Sequence, residues 1–91
     1  MRVEVEMISP ISVWLGERKL VLEVPAGLTV KDLLLMIMHS QENYEQLMIE
    51  HGFYDGSNFN VLCLLENKII TQKQILDSDC SLRILSPMLG G

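Results

Sequence analysis

A chain of 91 residues with a net charge of −5 and an apolar fraction of 48% has room for one small domain with a single core. That apolar fraction excludes a disordered chain, and the acidic balance leaves no electrostatic footprint for binding a phosphate backbone. Met1 leads straight into the alternating RVEVEMI, which lacks the apolar core of a signal peptide, and no apolar run approaches a membrane span. Cys63 and Cys80 form no CxxC and are too few for a disulfide framework, so a reducing cytoplasm is the expected setting.

From Arg2 to Ile8 polar and apolar residues alternate, with Val3, Val5 and Met7 on one side and Arg2, Glu4 and Glu6 on the other. This is the pattern of a half-buried strand. Pro10 interrupts it, LGER (15–18) supplies a glycine turn, and Leu20, Leu22 and Val24 restore the period of two. The pair reads as an antiparallel hairpin. After Pro25, Ala26 and Gly27, Thr29 stands as a helix N-cap with Asp32 in the acidic capping-box position. Val30, Leu33, Leu34, Ile37 and Met38 follow at helical spacing and form one apolar face. Ser40 is the expected break and the cap of a second helix, QENYEQLMIE, in which Tyr44, Leu47 and Met48 share a face and Gly52 is the stop.

YDGSN (54–58) reads as loop, and the nearly all-apolar run from Phe59 to Leu65 as a central strand covered on both faces. ENK (66–68) turns into the short run Ile69-Ile70, and residues 71–79 read as polar and turn-like. SLRILS (81–86) is the last strand, with Leu82 and Ile84 facing the core and Arg83 between them. Hairpin, helix, strand, short strand and strand in that order are accommodated by a mixed sheet with one main helix on one face. The economical arrangement sets the first and last strands side by side, parallel and central. That is the α+β architecture called β-grasp.

The sequence closes on SPMLGG, two bare glycines directly after an apolar run. Either this tail is slack, or the terminal carboxyl is the working group. VPAGLTVKDLLLMI (24–37), VLCLLENKII (61–70) and LRILSPMLGG (82–91), in that order, resemble the ubiquitin-like sulfur carriers, and most closely the small subunit of molybdopterin synthase. The terminal Gly-Gly is the specific element, and the other two segments support the fold. The chain departs from the family's frequent Gly-Asp before the last strand, where it has Ser78-Asp79, and its region 41–58 is longer than in the smallest thiamine-pathway carriers. That length favours the molybdopterin branch.

The resemblance implies a β-grasp domain over residues 1–86 and a flexible tail over 87–91. It implies that the Gly91 carboxylate is adenylated and converted to a thiocarboxylate, with Gly90 forming the narrow segment before it. The implied partners are an adenylating enzyme of the ubiquitin-activating type and the large catalytic subunit of molybdopterin synthase. ATP would be used by the activating enzyme, with no cofactor held stably by this chain and the active site in the partner. Physical chemistry agrees with such a tail. A terminal carboxyl, with a pKa of about 3.5, is ionised at neutral pH and can attack the α-phosphate of ATP. Glycine, lacking Cβ, passes a narrow channel. Five extended residues reach roughly 17 Å at ~3.4 Å each, enough to thread a buried site while the body docks outside. Phe59, Leu85, Met88 and Leu89 are the expected exposed apolar contacts for that docking.

Other residues carry less. His39 and His51 lack metal-ligand spacing, Cys63 sits in an apolar run as a structural thiol, and Cys80 has no adjacent basic residue to lower its pKa. Asp77 and Asp79 read as a solvated turn, and Trp14 and Leu15 as core or docking patch. No phosphate loop or nucleophile–base motif is present, so the chain is not expected to catalyse its reaction alone. The alternative functions are a carrier for another sulfur pathway (thiamine thiazole or a tungsten pterin), a ubiquitin-like modifier of protein lysines, and a binding-only domain.

Overall fold

The alternation in RVEVEM folds as strand β1 (Arg2–Met7), with Val3, Val5 and Met7 buried. The computed structural model describes residues 1–8, 16 and 18–86. Strand β2 (Lys19–Glu23) runs antiparallel to β1, setting Val3 opposite Leu22 and Val5 opposite Leu20. The expected hairpin pairing is present; Pro10, Trp14 and Leu15 of its connection lie outside the described residues.

A two-residue strand, β3 (Leu28–Thr29), leads into helix α1 (Val30–Met38). Thr29 and Asp32 cap it reciprocally: the Asp32 amide donates to Thr29 Oγ1 and the Thr29 amide to Asp32 Oδ2, both at 3.1 Å. The five residues expected on its apolar face are all buried. Ser40 does not cap the next helix. Its hydroxyl donates to the Ile37 carbonyl at 2.6 Å and closes α1 instead. Helix α2 (Tyr44–Glu50) begins from Asn43, whose φ of 71° is left-handed and whose side chain makes no capping bond. It stops as expected at Gly52, φ 81°, where the Phe53 amide reaches the Met48 carbonyl at 2.8 Å and the Gly52 amide reaches Ile49 at 3.1 Å.

The run from Phe59 to Leu65 is a strand only at β4 (Leu62–Leu65), and it is not covered on both faces. Cys63 is buried on the helix side, whereas Leu62 and Leu64 are half-buried on the other. Glu66 and Asn67, both at positive φ (48° and 69°), turn the chain into β5 (Lys68–Ile70). The segment expected to be wholly turn-like contains β6 (Ile75–Leu76), which pairs antiparallel with β3. Two residues show no periodicity, yet Leu76 is buried beneath this small ribbon.

Strand β7 (Cys80–Leu85) completes a five-stranded sheet of order β2-β1-β7-β4-β5. It is parallel to β1 and antiparallel to β4, with Val5 opposite Leu82 and Met7 opposite Ile84. Its Leu82 and Ile84 join Val3, Val5, Cys63 and the buried face of α1 in one core. The expected α+β β-grasp architecture, with the first and last strands adjacent and parallel, is the one found. No described helix is long and apolar enough to cross a membrane.

Candidate functional site

The core covers one face of the sheet, and strict alternation leaves a second face open. Strand registers order that open face into rows. At the end where the chain leaves the sheet, Leu85 lies opposite Leu62, and Ile8, whose amide donates to the Ile84 carbonyl, falls beside them. The middle row runs Lys19, Glu6, Arg83, Leu64, Ile69. There Arg83 Nε meets Glu6 Oε1 at 3.1 Å, and Ile69 is 71% exposed. The far row holds Val21, Glu4 and Ser81, extended by Glu66. Ser81 ties this row together: its amide donates to Glu66 Oε1 at 2.9 Å and its hydroxyl to Glu4 Oε2 at 3.3 Å.

The face therefore has two ends. Leu62, Leu64, Ile69 and Leu85 form an apolar patch toward the exit of the chain, and carboxylates gather at the start of β7. A shallow cleft of about 270 Å³ crosses the second region, bordered by Glu4, Glu6, Glu66, Ser81, Arg83 and Leu64. A neighbouring cleft of about 330 Å³ shares Glu4, Glu66 and Ser81 with it. Asp79 is more than part of a solvated turn. Its Oδ1 accepts the Arg2 amide at 2.8 Å and staples the starts of β1 and β7 together.

The sequence-derived site residues divide three ways. Gly90, Gly91, Met88 and Leu89 lie outside the described residues, which end at Ser86, itself buried. Leu85, expected to be exposed, is half-buried on the open face. Phe59 is not an exposed contact. It is 4% exposed, its ring lies 4.6 Å from that of Tyr54, and Gln72 binds both its amide and its carbonyl. Its burial follows from its position outside β4, in a bridge with Tyr54 that folds the loop back onto the core. Leu62, Leu64 and Ile69 are apolar residues of the open face that the sequence reading did not single out. Continuing the alternation of LCLLENKII through a two-residue turn would have paired Leu64 with Ile69 away from Cys63.

Burial pushes the Cys63 thiol up to about 11, fitting a structural residue. Partial burial, then the negative charges of Glu66, Asp79 and Asp77, also raise the Cys80 pKa. His39 Nε2 lies 3.1 Å from Glu45 Oε1 on the surface. Among the described residues, no group of three or more His, Cys, Asp or Glu side chains could hold a metal ion.

The fold is that of the ubiquitin-like β-grasp proteins. Small archaeal modifier protein 1 from Haloferax volcanii superposes with a TM-score of 0.76 at 16% identity, covering 100% of both chains. The Methanosarcina acetivorans small archaeal modifier protein 1 gives 0.69 at 16% identity over 99% of this chain and 96% of that one. A Pyrococcus furiosus protein assigned as subunit 1 of a molybdopterin converting factor gives 0.69 at 16% identity over 97% and 99%. No protein-family model and no curated protein sequence matches this chain.

Proposed function

We propose that this chain is a ubiquitin-like carrier protein whose Gly91 carboxylate receives sulfur, and that the sulfur serves molybdopterin synthesis. The observation that carries the reading is the combination of a β-grasp body with a chain that leaves its sheet at Ser86, beside an uncovered apolar patch, with three residues between Ser86 and the Gly-Gly pair. In the proposed reaction a Gly91 carboxylate oxygen attacks the α-phosphate of ATP in the partner enzyme, and pyrophosphate leaves. A sulfur nucleophile then displaces AMP from the acyl carbon. Activation belongs in a closed site, because water would hydrolyse the mixed anhydride. The body's part is to dock and present the tail.

A modifier function shares the first step and differs in the acceptor, a lysine amine instead of sulfur. The likeness to small archaeal modifier proteins supports this second reading, and the likeness to the molybdopterin converting factor subunit supports the first. The test supplies the chain with an adenylating enzyme, ATP and a sulfur source and measures its intact mass. Exchange of one oxygen for sulfur at Gly91 is expected. A chain lacking Gly91 presents its carboxylate about 3.4 Å short, and one extended past Gly91 presents an amide there, so both should lose the exchange. An extended chain that accepted sulfur without being trimmed would overturn the carrier reading. Conjugates to lysine without any thiocarboxylate would establish the modifier instead.

A further inference from the structure

We infer that two copies of this chain pair through the free edge of β2, antiparallel about Val21, so that their five-stranded sheets join into one symmetric dimer. The pairing makes no use of the tail and goes beyond the carrier reading.

Strand β2 ends the sheet and pairs with β1 alone. The phase of that pairing decides which of its backbone groups face outward. At one end the Met1 ammonium donates to the Val24 carbonyl at 2.7 Å and the Val24 amide to the Met1 carbonyl at 2.9 Å. At the other the Met7 amide donates to the Arg18 carbonyl at 2.8 Å. Bonded and non-bonded pairs alternate along an antiparallel ladder, so Leu22 and Leu20 bond inward to Val3 and Val5. The amides and carbonyls of Lys19, Val21 and Glu23 therefore point away from β1, along the edge. The opposite edge strand offers less. The turn at Glu66 and Asn67 closes on Leu65 and Lys68, which leaves only Ile69 of β5 with its backbone aimed outward.

Open edges are normally blunted by proline, a bulge or charges that repel a second strand. KLVLE has no proline or glycine, and its two ends carry opposite charge. Pairing β2 with itself about Val21 sets Lys19 opposite Glu23 of the second copy, Val21 opposite Val21, and Glu23 opposite Lys19. These are the residues whose backbone groups face outward, so each facing pair can exchange both bonds. On the open face the pairs join opposite charges and two valines, each 49% exposed in the single chain. On the core face Leu20 meets Leu22 of the second copy, and both are half-buried before pairing. Sliding by two residues, the next register that keeps the bonds in phase, sets Lys19 or Glu23 against Val21 and loses the charge pairs. The net charge of −5 on each copy opposes association. At ~0.15 M salt the screening length is about 8 Å, which weakens that repulsion more than it weakens pairs in contact. The two-fold axis runs through the Val21 pair, perpendicular to the sheet. With β1 between β2 and β7, the two chain exits at Ser86 fall at opposite ends of the joined sheet, clear of the joint.

The experiment is sedimentation of the whole chain at ~0.15 M salt. One strand per copy is a small interface, so the mass should climb from one copy toward two between about 10 μM and about 1 mM. Val21→Pro removes an amide that β1 does not use and that the dimer uses twice. It should abolish self-association, with a thermal melt checking that the fold persists; if the fold is lost, the charge variants decide alone. K19E and E23K each set like charges together at both ends of the joint, and each should weaken self-association about tenfold. An equal mixture of K19E and E23K chains restores opposite charges at both ends and should dimerise as the wild type does. A wild-type chain that stays single, or that assembles beyond two copies, would overturn the inference. So would a dimer that survives Val21→Pro, or a mixture of the charge variants that associates no better than either alone. The carrier reading stands or falls separately, on the exchange of oxygen for sulfur at Gly91.

Discussion

Glu66 and Ser81 are joined twice across the sheet: the Glu66 amide donates to the Ser81 carbonyl at 3.1 Å, and the Ser81 amide donates back to the Glu66 carboxylate at 2.9 Å. The cost is conformational. Glu66 holds a φ of 48°, a region that disfavours residues with a Cβ. Turn and last strand are thus locked by a residue that is locally unfavourable there.

Two substitutions separate these effects. Glu66→Ala removes the carboxylate bond and keeps the strain, and should lower unfolding free energy by about 1 kcal/mol. Glu66→Gly loses the same bond but relieves the backbone, and should be more stable than the alanine variant by about 1 kcal/mol. Urea titration measures both. An alanine variant as stable as the wild type would mean that the carboxylate bond contributes nothing.

Leu82 sits at the middle of the sheet, opposite Val5 on one side and Leu65 on the other, and is 1% exposed. Leu82→Ala should cost about 2–5 kcal/mol, depending on how far the surrounding side chains close the cavity. A loss below about 0.5 kcal/mol is what a surface position gives, and would contradict the placement of β7 over the core.

Tyr44 anchors α2 in the core at 2% exposure, and its hydroxyl finds no hydrogen-bond partner among the described residues. Burial pushes its pKa up to about 12 from an ordinary 10. The folded state therefore holds this proton more tightly than the unfolded one. Stability is fully present below pH 10 and falls as pH rises from 10 toward about 12. Tyr44→Phe removes an unpaired buried hydroxyl, so it should be neutral or stabilising by up to about 1 kcal/mol at pH 7. It should also lack that share of the alkaline decline, as chemical denaturation at several pH values would show. A phenylalanine variant clearly less stable at pH 7 would mean that the hydroxyl has a partner.

The frame of this fold was legible where a local rule acts alone. The alternation of β1, the reciprocal cap of Thr29 and Asp32 and the stop at Gly52 each depend on residues within a few positions of one another. The β3–β6 ribbon was not legible, because Leu28 and Leu76 are brought together by tertiary packing and neither strand is long enough to show a period. Ser40 was misread for a related reason. A serine between two helices can serve either end, and here its hydroxyl bonds backward to Ile37. In the candidate site, the role proposed for Gly90 and Gly91 rests on residue type and on the resemblance of the segments that precede them. The apolar patch of the open face emerged only once the β4–β5 register set Leu64 beside Ile69.

Phe59 and Ile69 exchange the roles that hydrophobicity alone would assign them, and this exchange can be measured. Phe59 lies in a loop yet is 4% exposed, stacked on Tyr54 and held by Gln72, whereas Ile69 lies in a strand and is 71% exposed. Phe59→Ala removes a buried ring, and should cost about 3–5 kcal/mol, seen as a lower urea midpoint. Ile69→Ser removes an apolar group that is largely in water and leaves the edge strand's backbone pairing in place. Its stability should stay within about 0.5 kcal/mol of the wild type. The order reverses when the readout is binding to the adenylating enzyme. Ile69→Ser should weaken the complex, because the exposed face loses apolar area that only a partner can cover. Phe59→Ala, assayed well below its unfolding transition, should bind with nearly wild-type affinity. If Ile69→Ser instead unfolded the domain and left the affinity of its folded fraction unchanged, the open face would be structural, and docking would have to lie elsewhere.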